Sequence, residues 1–188
     1  KDYDELVSEQ SKYAKDVIGN NRFHRLLVSG NPVIAGFLYG KLSSIQEQGI
    51  EVTYTFHISE FTSKIPVYLV VELIGNLLKN AVEAVKTQQV EKQIHLSCTE
   101  NENEFCLGVR NRSEKIPLDE MGRFFEKGYS SKGSGRGLGL YNVKEICEKY
   151  GVDIVCDNTE VDDKNWFLIE LHIKKSDEMN LRNKSESK

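Results

Sequence analysis

Between Pro66 and Thr87 the chain places Leu69, Leu73, Ile74, Leu77, Leu78, Ala81, Val82 and Val85 at spacings of three and four, the period of a long α-helix with one broad apolar face. A face of that width needs a sheet or a second helical layer to cover it. Pro66 suits the start of such a helix, because its missing N–H is one the first turn leaves unpaired anyway. Asn76, Asn80 and Glu83 lie on one side of the same helix at spacings of four and three. Two carboxamides in an otherwise apolar helix have two readings: they are the solvent side of an amphipathic helix, or they face a ligand.

On either side of this helix the period changes to two. Ile50, Val52, Tyr54, Phe56 and Ile58 alternate with polar residues as in a half-buried strand. Ile94, Leu96 and Cys98, then Phe105, Leu107 and Val109, form two alternating runs around a polar loop, the pattern of an antiparallel hairpin. A further helix is predicted from about Leu138 to Tyr150, stopped by Gly151, with strands near Val152 to Cys156 and Trp166 to Ile173. This order predicts an α+β fold, a two-layer sandwich in which a mixed sheet carries its helices on one face. Residues 111–136 are polar, rich in glycine and longer than an ordinary connection, which marks either a functional loop or an unstructured one.

Ahead of this compact region, residues 2–18 show a loose helical pattern with too little apolar surface to fold alone. Asn31 and Pro32 form a cap and first helical position for residues 32–48, where Val33, Phe37, Leu38, Leu42 and Ile45 make a stripe. That stripe lines a helical bundle, as in a dimer, or packs on its own domain. The sequence therefore divides into a helical segment at 1–48, a compact domain at 49–175 and a polar tail at 176–188, with polar character setting in from Lys174.

Charge narrows the function classes. A net charge of −4 offers no basic footprint for nucleic acid, and no apolar run approaches the roughly 20 residues that span a bilayer. The chain opens on Lys1 and a strongly polar segment, which reads as the cytoplasmic piece of a larger protein with an upstream partner, a membrane anchor among the options. Cys98, Cys106, Cys147 and Cys156 have neither CxxC pairing nor framework spacing, so they read as structural thiols of a reducing compartment. His95 and Cys98, three apart on a strand, point to opposite faces and make no metal site.

The chemistry concentrates in Gly133-Ser134-Gly135-Arg136-Gly137-Leu138-Gly139-Leu140, where four glycines at alternate positions run into a helix start. Glycine lets backbone approach a ligand without a Cβ clash, and a helix start presents unpaired N–H groups with a partial positive charge. Phosphate is the natural guest. The run lacks the GK[ST] ending of a Walker loop and has no preceding strand of a dinucleotide-binding turn; a flexible linker is the alternative. Carboxamide oxygens are hard, neutral ligands suited to a Mg²⁺ ion already balanced by phosphates, which gives Asn76 and Asn80 a reason to exist.

These segments resemble the motifs of the GHKL superfamily of ATP-binding domains, the Bergerat fold. Asn76-Leu-Leu-Lys-Asn80-Ala-Val-Glu83-Ala resembles the N box, Phe124 to Gly133 the F box, and Gly135 to Gly151 the second glycine box with its helix. The resemblance spans about residues 50–174 and is nearest to sensor histidine kinases of the accessory-gene-regulator type, which are quorum-sensing receptors. It implies ATP and Mg²⁺ as ligands, transfer of the γ-phosphoryl group to a histidine, a homodimer, a response regulator as partner and an upstream membrane sensor.

Roles follow residue by residue from the resemblance. Asn80 coordinates Mg²⁺, with Asn76 near the phosphates or a metal-bound water; Asn111 faces adenine, Ile116 walls the base, and Glu83 also belongs to the ATP site. Ser131, Lys132, Gly133, Gly135, Arg136, Gly137, Leu138, Gly139 and Leu140 shape the phosphate loop, and Lys132 and Arg136 balance charge. Phe124 or Phe125 anchors the lid, with Phe125 the residue assigned to the site. ATPases of the superfamily resemble one another in carrying a water-activating glutamate four residues before the metal-binding asparagine, where this chain has Asn76. A carboxamide has no useful basicity, so the spacing favours transfer to histidine over hydrolysis. Glu72, eight residues before Asn80, is out of register to replace it, which leaves Glu83 as the remaining candidate carboxylate. The first glycine box departs from the family's DxGxG: it reads Asn111-Arg112-Ser113-Glu114-Lys115-Ile116-Pro117, with an uncharged acceptor for adenine and a stiffer turn.

A phosphoacceptor histidine followed by an acid is absent. His57, His95 and His172 fall in predicted strands, and His24 is followed by Arg25. Residues 1–48 match the second helix of a dimerisation hairpin whose first helix and histidine lie upstream. A GHKL-type ATPase and a nucleotide-binding regulator without catalysis are the rival readings.

Overall fold

The computed structural model describes residues 31–57, 63–129 and 138–175. The expectations for residues 2–18, for His24, for residues 130–137 of the glycine-rich segment and for the tail at 176–188 lie outside the described residues. In chain order the elements are α1 (Pro32–Glu47), β1 (Glu51–His57), α2 (Val67–Thr87), β2 (Gln93–Glu100), β3 (Glu104–Arg112), α3 (Leu118–Met121), α4 (Gly139–Tyr150), β4 (Asp153–Val161) and β5 (Lys164–Lys174).

The five strands form one mixed sheet in the order β1-β2-β3-β5-β4. β1 and β2 run parallel, and every other pair is antiparallel. Period-two burial runs through the sheet: Ile94, Leu96 and Cys98 on β2, Phe105, Leu107 and Val109 on β3, and Phe167, Ile169, Leu171 and Ile173 on β5 are buried on the helix-covered face. On that face α2 packs against β3 and β2, α4 against α2 and β4, and α1 against α2 and β1. The wide apolar face of α2 is buried through Val70, Leu73, Ile74, Leu77, Leu78, Ala81 and Val85. This is the α+β sandwich that the alternation of periods predicts.

Helix α1 starts as its residues dictate. Asn31 Oδ1 accepts from Val33 N at 2.9 Å and Ile34 N at 3.4 Å, with Pro32 in the first turn. Leu38 and Leu42 are completely buried, and Ile34 and Ile45 nearly so, within the same apolar cluster as α2 and the sheet, and Ala35 is buried as well. Full burial of a leucine side chain contributes roughly 1.5–3 kcal/mol, so this stripe is spent on its own domain. Val33, which the helical spacing places in that stripe, is 60% exposed.

Two boundaries differ from the sequence reading. β3 continues to Arg112, and the long connection after it contains the short helix α3, so residues 111–129 are less irregular than their composition implies. β4 runs on to Val161 because Asp162 and Asp163 both take positive φ (52° and 57°) in a tight turn to β5, a pair without the glycine that usually announces such a hairpin. Lys174 ends β5, and Lys175 is anchored by its Nζ on Glu100 Oε2 at 2.7 Å and by a bridge to Ser63.

Candidate functional site

α2, α4, the end of β3 and the connection between β3 and α4 enclose a groove of about 720 Å³. α2 contributes Asn76, Lys79, Asn80, Glu83, Ala84 and Thr87 to one wall. The helix buries its leucines on the sheet and turns this polar strip, one step around the cylinder, into the groove. The two carboxamides are thus half-buried groove residues and not the solvent side of the helix.

The far wall begins at Asn111, which is 3% exposed at the end of β3. Its Nδ2 donates to the Arg112 carbonyl at 3.0 Å. The turn that follows has no glycine and, through residue 117, no positive φ. It is held by side chains from elsewhere in the chain. Asn158 on β4 accepts from Ile116 N at 3.0 Å and donates Nδ2 to Ile116 O at 2.8 Å. Asn165 donates to Ser113 O at 3.2 Å, and Gln88 Oε1 accepts from Glu114 N at 3.3 Å. These bonds take over the closing work that glycines do in a looser turn, and they carry Ile116 and Pro117 onto the groove wall.

Phe124, Tyr129 and Phe167 supply the aromatic lining. Phe124 stands edge-on to Phe167, with centroids 5.5 Å apart and planes at 87°, and lies 6.1 Å from Tyr129. Phe125, the residue assigned to the site from sequence, is not part of the groove lining; it packs on the core while Phe124 takes the wall. The physical reason is local: Phe124 follows the turn after α3, where its amide donates to Met121 O, and this aims its ring at Phe167.

At the third side α4 begins. Among the described residues no side chain caps its first turn, and a helix start is where backbone N–H groups remain without a partner inside the helix. Leu138, Gly139 and Leu140 line the groove there. A Cβ on Gly139 would stand 3.2 Å from Asn76 Oδ1, so the absence of a side chain is what lets the α2 amide reach the start of α4. Both ends of the segment 130–137, Tyr129 and Leu138, line the groove, and Leu138 is 55% exposed at its lip.

The matched family model is described as a GHKL domain and covers residues 67–174, from the start of α2 to the end of β5. The chain belongs to the GHKL family.

Relatives of this GHKL chain include the sensor protein CitS of Halalkalibacterium halodurans, 34% identical over 70% of this chain and 25% of that protein. The sensor histidine kinase DcuS of Escherichia coli K12 is 29% identical over 68% of this chain and 24% of that protein. The chain is homologous to sensor histidine kinases across that stretch, and it spans about a quarter of the length of these relatives. In fold it resembles the catalytic domain of histidine kinase ThkA, with a TM-score of 0.62, 21% identity, and coverage of 78% of this chain and 92% of that one. It also resembles full-length ShkA in complex with AMPPNP, with a TM-score of 0.53, 18% identity, and coverage of 75% and 30%.

Within this GHKL domain the structure brings Asn76, Asn80, Glu83, Asn111, Ile116, Leu138, Gly139 and Leu140 to one groove. Ser131, Lys132, Gly133, Gly135, Arg136 and Gly137 lie outside the described residues. Sequence reasoning missed Lys79, Thr87, Gln88, Lys115, Glu120, Tyr129 and Phe167. Helical register from Asn76 and Asn80 is enough to find Lys79 and Thr87; Phe167 enters from a strand 56 residues beyond Asn111 and leaves no local signal.

Among the described residues His57, His95 and His172 occupy strands, as their alternation predicts. His95 on β2 sits between Thr53 Oγ1 at 2.8 Å and Thr55 Oγ1 at 3.3 Å, and burial together with Arg110 holds its pKa below the usual value. A neutral imidazole held by two hydroxyls on the sheet is a structural group.

Proposed function

We propose that this chain is the ATP-binding catalytic part of a sensor histidine kinase, which passes the γ-phosphoryl group of ATP to a histidine on a helical hairpin outside residues 1–188. The observation that carries the reading is the pairing of two carboxamides on α2 with the start of α4, which no described side chain caps, across one groove. Phosphate oxygens find N–H donors at α4, and Asn80 and Asn76 offer the hard oxygens that a phosphate-bound Mg²⁺ accepts. When bound, Mg²⁺ would neutralise charge on the transferred group.

Adenine enters the opposite end. Asn111 supplies an acceptor, Ile116 and Pro117 one wall, and Phe124 and Phe167 an aromatic floor. Lys132 and Arg136, which lie between Tyr129 and Leu138 in the sequence, balance phosphate charge. Asn76 stands where an ATPase of the superfamily resembles its relatives in holding glutamate, so water in this groove has no carboxylate base at that position. That favours a kinase over an ATPase.

The glycine-free turn from Asn111 to Pro117 supports placement with the accessory-gene-regulator type and hence a quorum-sensing receptor. Residues 1–48 then match the second helix of the dimerisation unit, the full-length protein is a homodimer anchored by an upstream membrane sensor, its kinase part lies in the cytoplasm, and a response regulator receives the phosphoryl group. Among the described residues no helix is long and apolar enough to cross a membrane.

The test mixes the protein with radiolabelled ATP, Mg²⁺ and a separate helical hairpin bearing the acceptor histidine. Acid-labile label on the hairpin, abolished by Asn80→Ala, supports the proposal. Steady release of inorganic phosphate without labelling would assign the domain to the ATPases instead.

A further inference from the structure

On the sheet face turned away from the helices a second group of ligand atoms converges. Cys106 on β3 and His172 on β5 are directly opposed in the antiparallel register, so their side chains leave the sheet together. Glu104 and Glu170 lie two residues from them on the same strands and share that face. Cys106 Sγ is 3.7 Å from His172 Nδ1 and 3.8 Å from Glu104 Oε1, and His172 Nδ1 is 3.0 Å from Glu104 Oε1. The other ring nitrogen, Nε2, is 3.1 Å from Glu170 Oε1.

We propose that Glu104 Oε1, Cys106 Sγ and His172 Nδ1 form a binding site for a borderline-soft divalent transition-metal ion, with zinc the best match. The donor set of thiolate, imidazole and carboxylate is the one zinc takes, and it is a poor one for magnesium, which requires octahedral oxygen. Spacing agrees with that choice. Around tetrahedral zinc with bonds of about 2.0–2.3 Å, neighbouring ligand atoms stand about 3.3–3.6 Å apart; the three distances here bracket that interval, so small side-chain rotations close the site. The fourth position is open to solvent, since His172 and Glu104 side chains keep 27% and 29% exposure.

Glu170 completes the arrangement. A histidine that binds metal through one ring nitrogen usually gives its other N–H to a carboxylate, which fixes the ring and raises its basicity, and Glu170 occupies that place. Room for its carboxylate comes from Gly108, directly opposite Glu170 in the register, where a Cβ would lie 3.2 Å from Glu170 Oε2. The ion would join β3 to β5 on the face opposite the groove, and its binding does not depend on the nucleotide reading.

The test uses the reduced, chelator-stripped protein without nucleotide, titrated with Co²⁺ and then Zn²⁺. One Co²⁺ binds per chain with thiolate-to-cobalt charge-transfer absorption in the near ultraviolet, and Zn²⁺ displaces it. Saturating Zn²⁺ slows alkylation of Cys106 by about tenfold or more, because the thiolate is withdrawn from reaction. Glu170→Gln, which keeps all three ligand atoms, weakens zinc binding by about 10- to 100-fold. Cys106→Ser removes the charge-transfer band and Cys156→Ser keeps it. Absence of that band in the unsubstituted protein, or alkylation of Cys106 at the same rate with and without Zn²⁺, overturns the proposal, and neither result depends on a variant folding.

Discussion

The side-chain oxygen of Asn76 sits 3.2 Å from the point where Gly139 would carry a Cβ, so an amide in the middle of α2 and the first residue of α4 occupy one another's space. This contact joins the two elements proposed to hold the phosphates. Gly139→Ala places a methyl group there and pushes the Asn76 amide aside by a few tenths of an ångström. Alanine favours the helix over glycine by about 0.5–1 kcal/mol, so thermal stability stays the same or rises slightly. ATP affinity falls by about tenfold, the scale of one displaced hydrogen bond to a charged ligand. Paired melting curves and nucleotide titrations of this variant measure the two effects separately.

Asn111 and Asn80 both line the groove, and the proposed roles, one toward the base and one toward the phosphate-bound metal, make them respond differently to substitution. Asn111→Ala removes a base contact and weakens ATP and ADP by the same factor, about fivefold to tenfold for a hydrogen bond of 1–1.5 kcal/mol. Asn80→Ala weakens ATP only when Mg²⁺ is present. Competition titrations with both nucleotides, with and without Mg²⁺, give the pattern; equal losses for the two variants under all four conditions would contradict the assignment of ends.

Asn158 holds both backbone groups of Ile116. Asn158→Ala leaves the Ile116 N–H and C=O without that partner, at a cost of about 1–3 kcal/mol. The loss appears as a lower urea midpoint, and hydrogen exchange at the Ile116 amide accelerates before the rest of the sheet opens.

Burial pushes the Cys98 thiol from 9.0 up to about 12. A folded-state value above the unfolded one gives stability that is intact below pH 9 and is lost as pH rises from about 9 to 12, at roughly 1.4 kcal/mol per pH unit for this group. Urea midpoints at pH 8 and pH 10.5 therefore differ more for the unsubstituted protein than for Cys98→Ala, whose absolute stability is lower at both. At pH 8 the native protein resists alkylation at Cys98, and unfolding exposes it.

Much of this was legible in the sequence for a reason rooted in periodicity. The apolar spacing of α2 and the alternation in β2, β3 and β5 are local patterns, and each survives folding because it is the pattern that a two-layer core buries. Asn76, Asn80 and Glu83 were readable as one strip by the same helical arithmetic. What stayed hidden depends on pairings distant in the chain. Phe167 reaches the groove and Asn158 clamps Ile116 only because β4 and β5 return beside β3. The choice between Phe124 and Phe125 rests on the angle at which the chain leaves α3, which no spacing rule sets. Cys106 and His172 are 66 residues apart and meet through strand register alone, so cysteine spacing read along the chain gave no sign of them.

The most direct measurement is calorimetric titration of the protein with ATP, with and without Mg²⁺. One nucleotide per chain, bound more tightly with Mg²⁺ and lost in part on Asn80→Ala, is the predicted result. No heat at saturating ATP and Mg²⁺ would contradict the claim that α2 and α4 close on a nucleotide.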